Sequence, residues 1–354
     1  MKITIRFSDL RFLVAWLLPL MSIYGLLTTP HLTALWMVVF WLLVILLDGF
    51  VPGGKSSPAA LKSSDNLGYF SWVLRVYVVL QLSLIGVGGY VVMQATTSWL
   101  TVLGIAFGVG YVTGAQGITF AHELGHSKSK IDRFCGWVLM TTVCYGHFMV
   151  EHYRGHHPRA ATHEDAASAR FGESLYRFLP RTVWGSFISG WRIETARVKQ
   201  MKQSWLKSPL AWSTVVSVSI ILAVAGVFIA SAAIKLIAYF ILQAIIAFTL
   251  LEIVNYIEHY GLQRKFIENV QNNRREPFGM MHAWNADHVV TNSMLANLQR
   301  HSDHHMHAYK PYPTLEPLPG PQLPTGYAGC LILAMVPPLW FSVMHKRLAA
   351  LSVA

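Results

Sequence analysis

Six predominantly apolar stretches, 12–28, 32–51, 69–93, 99–120, 212–233 and 234–256, constrain this chain more than any other feature. A helix needs roughly 17–25 such residues to cross the hydrocarbon core of a bilayer. No water there satisfies a backbone N–H or C=O, so the chain must close its own hydrogen bonds, as a helix does. Composition agrees. Of 354 residues, 53% are hydrophobic and only 13% charged, whereas a soluble domain carries about 25% charge. The expected fold is all-α and polytopic, one integral-membrane domain over 1–354 with about six crossings. The parts outside the spans are 121–211 and 257–354.

The net charge of +11 does not indicate nucleic acid, because the cations sit between the spans. Lys2, Arg6 and Arg11 precede the first, Lys55 and Lys62 follow the second, and Lys128, Lys130 and Arg133 follow the fourth. The links between spans one and two, and three and four, have no Lys or Arg. The positive-inside rule then puts the N-terminus and the ends of spans two, four and six in the cytoplasm. The first span lacks a small-residue cleavage site and is expected to remain uncleaved. Cys135, Cys144 and Cys330 form no C-x-x-C pair, so no zinc ribbon, iron–sulfur cluster or disulfide framework is expected. Residues 136–150 are apolar but short, and read as a buried or re-entrant piece. Trp184, Trp191 and Trp205 suit amphipathic helices at the interface. Spans five and six are expected to turn near Lys235. The stretch 327–344 is interrupted by Pro337-Pro338 and reads as a helix packed at the surface.

Histidine is concentrated in the parts outside the spans, 121–211 and 257–354. His122 and His126 are four residues apart; His152, His156 and His157 follow at i, i+4 and i+5; His259 closes the sixth span; His301, His304 and His305 stand at i, i+3 and i+4. On a helix, positions three and four apart share a face. Nine imidazoles exceed the needs of one metal ion and suit two. Glu123, Glu151, Glu258 and Asp303 lie beside them and are expected to accept ring N–H groups and fix the tautomers. The remaining histidines, His31, His147, His163, His282, His288, His307 and His345, read as structural. His282 and His288 lie near enough to the third cluster to support its ligands or face substrate. Imidazole accepts zinc, copper, iron or nickel rather than magnesium or calcium. A site facing lipid-dissolved substrate without redox cysteines favours iron and dioxygen, with zinc left open. A metal transporter would instead need ionisable residues along a mid-membrane path; Asp48 is the clear acidic residue near a span end.

The pattern resembles the membrane-bound alkane 1-monooxygenases, within the desaturase-like histidine-box di-iron membrane enzymes. The resemblance rests on His122-Glu123-Leu124-Gly125-His126, on 145–157, on Asn255-Tyr256-Ile257-Glu258-His259-Tyr260-Gly261, on 298–305 and on 323–327. It departs at Ser127, Tyr153 and His163, none of them a ligand position. It implies six transmembrane helices around an apolar tunnel. Two non-haem irons are held by His122, His126, His152, His156, His157, His259, His301, His304 and His305, with no haem or flavin. It further implies terminal hydroxylation of medium-chain n-alkanes by dioxygen. Electrons come from a separate rubredoxin and an NAD(P)H-dependent rubredoxin reductase, at the cytoplasmic face of the bacterial inner membrane. A xylene-type side-chain hydroxylase and an acyl desaturase are the alternatives. Phe40 and Trp41 are candidates for a bulky stop in the tunnel. Arg177, Arg181, Arg192 and Arg197 are candidates for docking an acidic carrier.

Overall fold

A computed structural model describes residues 7–51, 67–227, 230–267 and 274–353. Lys2, Arg6, Lys55 and Lys62, four of the cations used to orient the chain, lie outside them. Six helices are long and apolar enough to cross a membrane. These are α1 (Asp9–Thr28), α2 (Pro30–Phe50), α3 (Leu67–Met93), α4 (Trp99–His126), α8 (Pro209–Val227) and α9 (Ser231–His259). Between α4 and α8 come α5 (Lys130–Thr142), α6 (148–159) and α7 (Leu175–Gln200). After α9 a pair of two-residue strands, Phe266–Ile267 and Arg274–Arg275, precedes α10 (Val289–Met294), α11 (His301–Met306), α12 (Tyr327–Met335) and α13 (Pro337–Val353).

The fourth span is the hub. In its most apolar window 72% of residues are buried, against 17–44% in the other five, whose remaining side chains are left for lipid. Small residues let neighbours approach it closely, as membrane helices require in the absence of a hydrophobic drive between them. A Cβ on Gly110 or Gly114 would lie 2.7 Å from backbone of α9, and one on Gly104 or Gly108 would meet Ala34 or Thr33 of α2. The interior amides are paired across spans. Gln81 Nε2 donates to Thr142 Oγ1 (2.8 Å) and Gln243 Nε2 to Thr142 O (2.8 Å). Both glutamines sit near the middle of their helices, so α5 ends buried among α3 and α9.

The turn between spans five and six is not at Lys235, where the sequence suggests it. Lys235 is inside α9, where its Nζ donates to Thr97 O (2.6 Å). A lysine looks like a turn residue, but here it caps the α3–α4 link. Chain 327–353 is split at Val336, as Pro337-Pro338 dictate. At the other end of α9, Gly261 adopts a left-handed conformation (φ 71°) and stops the helix just beyond His259.

Candidate metal centre

Two wide turns aim the histidines. In α4, residues Thr113–Ile118 form a π turn just before His122 and His126. In α6, His152–His156 form another, with His157 N–H donating to His152 O. A π turn bonds residues five apart, and such turns gather at functional sites. His152 and His157 therefore share a face, and His156 points elsewhere. The rings fall into two groups, within each of which the nitrogens lie within 4.8 Å of one another. His122, His126, His152, His157 and His304 make the first; His156, His259, His301 and His305 make the second. All nine histidines of the sequence clusters are included. The division cuts across them: His156 parts from His157, and His304 from His301 and His305. The groups adjoin, with the His157 and His305 rings stacked 4.3 Å apart.

The rings fit metal ions. In the first group Nε2 faces Nε2 at 2.8 Å for His122 and His304, 3.0 Å for His152 and His157, and 3.2 Å for His126 and His157. In the second the separations are 3.2 Å for both His156–His305 and His259–His301. Imidazole lone pairs directed at one another repel unless something positive lies between them. Two nitrogens bound to one ion at about 2.0–2.1 Å, as for zinc, stand about 3 Å apart. Burial first, then neighbouring imidazoles, hold His152, His157, His301, His304 and His305 well below the usual histidine range. They are neutral, the form that binds metal.

Partners of the other ring nitrogen differ from those the spacing suggests. His156 Nδ1 is 2.8 Å from Asp165 Oδ2, and His259 Nδ1 is 3.2 Å from the backbone O of His282. Asp165 is fully buried and also accepts from Ser168 Oγ (2.6 Å). Although burial opposes its charge, His156 and Ser168 hold it down to about 2. Of the four expected carboxylates, Glu258 alone comes near a clustered ring. Its Oε1 is 3.2 Å from His301 Nδ1, too oblique for a hydrogen bond, and accepts Tyr327 Oη at 2.7 Å. Glu123 accepts Tyr312 N (3.0 Å), and Glu151 pairs with Arg159 (2.8 Å). Asp303 holds His307 (2.9 Å), Lys310 (2.6 Å) and Glu316 N (2.7 Å). Glu123 and Asp303 brace the segment 307–316 and Glu151 the end of α6, because a carboxylate next to a ligand along a helix points away from the ligand's face. Nothing in the sequence distinguishes Asp165 from Glu164, which is exposed and pairs with Arg275. Tyr153, marked in the sequence only as a departure from the resemblance, supports the site: its hydroxyl donates to His122 O (2.9 Å).

An apolar cavity runs among α1, α2, α4, α9, α10 and α12 to His122 and His152 of the first group and His301 of the second. Leu18, Phe40, Val44, Leu250 and Leu331 are among its walls; Gln116, Thr119, Asn255 and Glu258 add polar atoms. Phe40 lines it. Trp41 is not among its lining residues; the indole Nε1 donates to Ala328 O (2.9 Å) and the ring packs on Tyr111. Asp48 fastens the end of α2 to α10, accepting from the N–H and hydroxyl of Thr291, while its own O faces His288 Nδ1 (3.1 Å). His282 serves through its carbonyl, and its ring bonds Glu276 (3.1 Å). Buried His147, pushed down to about 4 by burial, stands outside both groups.

Fold and site together define a histidine-cluster membrane protein, and residues 97–329 match the family model described as fatty acid desaturase. Alkane 1-monooxygenase 2 of Pseudomonas aeruginosa is 39% identical over 88% of this chain and 83% of its own length. Alkane 1-monooxygenase of Acinetobacter baylyi is 36% identical over 88% and 75%. The hydroxylase component of xylene/toluene monooxygenase from Pseudomonas putida is 27% identical over 70% and 64%. The chain belongs to the alkane 1-monooxygenase family.

Proposed function

We propose that the chain hydroxylates the terminal carbon of medium-chain n-alkanes with dioxygen, at two irons held one by each histidine group. The observation that carries this reading is the apolar cavity that ends on rings of both groups, His122, His152 and His301. An alkane offers no polar handle, so burial must bind it, at about 0.8 kcal/mol per CH₂. A narrow apolar path presents a chain end to the histidines, and orientation alone then favours the terminal carbon. Two irons, when bound, would supply dioxygen activation, and the nine imidazoles would hold them. Asp165 fixes the His156 ring through Nδ1, and Tyr153 anchors the backbone of His122. Glu258 and Asn255 put polar atoms where a product hydroxyl would form.

Electrons would come from rubredoxin, reduced by NAD(P)H through its reductase, on the cytoplasmic side of a bacterial inner membrane. Two of the arginines expected to dock a carrier are engaged internally: Arg181 pairs with Glu173 (2.7 Å) and Arg197 with Glu194 (2.6 Å). A better landing place is the cleft lined by Lys128, Arg133 and Arg154, which reaches His126 and half-buried His157. Charge there would steer an acidic carrier. Carrier-limited turnover should slow with added salt; salt-insensitive turnover would count against this surface.

The deciding experiment measures metal in the purified protein together with octane turnover in the presence of rubredoxin, its reductase and NADH. Two irons per chain and 1-octanol are expected. Iron without octanol would move the substrate to aromatic side chains or acyl chains. Zinc, or no stoichiometric metal, would overturn the oxygenase reading.

A further inference from the structure

One buried aromatic series takes no part in the cavity or the metal groups. Tyr260 directly follows His259 of the second group, and its fully buried hydroxyl lies 2.9 Å from His345 Nε2. The same oxygen accepts from Gly172 N (3.1 Å). His345 stacks on Phe171 at 4.3 Å, and the Phe171 side chain is 61% exposed. Inward, the Tyr260 ring is 5.4 Å from buried Trp340. Oxidisable and polarisable rings thus continue from the residue bonded to His259 out to the surface. A phenol yields an electron readily only when its proton has an acceptor at hydrogen-bond distance. An imidazole nitrogen carrying no proton is such an acceptor.

Resting on the reading that dioxygen is reduced at the histidine cluster, we propose that Tyr260 and His345 form a redox pair. It drains oxidising equivalents from the cluster when no alkane fills the cavity. Tyr260 loses one electron to the oxidised centre and its phenolic proton to Nε2 of His345. This leaves a neutral tyrosyl radical and a protonated imidazole. A one-electron donor of the kind that feeds hydroxylation, reaching the exposed Phe171–His345 edge, returns the electron, and His345 returns the proton. Tyr327 is the rival phenol. Its hydroxyl donates to Glu258 in the cavity wall, but among the described residues its ring stacks on no other.

The test uses the full-length, iron-loaded protein in lipid nanodiscs. It is reduced, mixed with dioxygen without octane, freeze-quenched and read by electron paramagnetic resonance. A tyrosyl signal is expected, narrowed by ring-deuterated tyrosine, suppressed by octane, and lost in Tyr260→Phe. His345→Gln, which spares the phenol, should also lose it. Both variants should still form 1-octanol in their first turnovers and inactivate faster without octane. A signal unchanged in Tyr260→Phe, or lost only in Tyr327→Phe, would overturn the pair. So would the absence of any signal in wild-type protein that makes octanol. Wild-type protein that makes no octanol would sink the n-alkane reading instead; a Tyr260-dependent radical in it would still uphold the pair, and no radical would overturn it.

Discussion

The two histidine groups differ more than their shared residue type suggests. The first draws five rings from α4, α6 and α11, includes half-buried His157, and opens on a cationic cleft. Among the described residues, no carboxylate is hydrogen-bonded to any of its rings. The second has four buried rings, with Asp165 on His156 and Glu258 beside His301. Negative charge behind a ligand, here Asp165 behind His156, raises its basicity and fixes its ring. The second group is therefore the more electron-rich and the better insulated, and the first is the nearer to a docking partner.

The largest expected effect comes from removing one ring on each side. His304→Ala and His305→Ala should each abolish turnover and cost one of two metal equivalents, from different groups. Loss of the same ion in both, judged by metal analysis and Mössbauer spectra, would merge the groups. A full complement of metal in an active His304→Ala protein would remove that ligand.

Asp165→Asn sharpens the contrast. It keeps the shape but removes the charge, and loss of such a partner typically costs 10–100-fold in metal affinity or activity. The second-group ion should become chelatable and the first stay tight. Equal loosening of both would mean that Asp165 serves the fold rather than one ion.

Gly125→Ala probes the first group from behind. A Cβ there would overlap the hydroxyl of Tyr153, which holds His122 O. Overpacking of this kind costs about 1–3 kcal/mol. The melting temperature and first-group occupancy should fall together, and Tyr153→Phe added to Gly125→Ala should restore part of both. No rescue would mean that the crowding is felt elsewhere.

The mildest change is in the cavity that both groups touch. Phe40→Ser should extend the range of alkanes to longer chains while octane turnover is largely kept. Trp41→Ser, outside the lining, should leave the range unaltered and lose the bond to Ala328 and the packing on Tyr111. The reverse result would put Trp41 in the substrate path.

Much of this was legible beforehand, and the failures have physical causes. Apolar run length reveals crossings because lipid forbids unsatisfied backbone, so all six spans were visible and only their ends moved, as at Lys235. The nine rings were visible because imidazole at helical spacing is rare without a task. Their partition was not, since it depends on two π turns. Hydropathy carries no signal for an inserted residue of backbone register. Asp165, nine residues from His156, was invisible because a ligand's partner is chosen by a folded loop rather than by spacing. The glycines that draw α2 and α9 onto α4 stood in the sequence at four-residue intervals, at 104 and 108 and at 110 and 114.

The sequence by itself determined an all-helical membrane protein with six crossings and nine clustered histidines outside or at the ends of them. It could do so because both properties are written in local composition, where solvent preference and ligand chemistry act residue by residue. Tertiary structure alone decided which ring joins which group, which acid stands behind which ring, and that Phe40 rather than Trp41 meets the cavity. Those outcomes turn on the direction of a side chain, which a single inserted residue in a helical turn rotates from one neighbour to another.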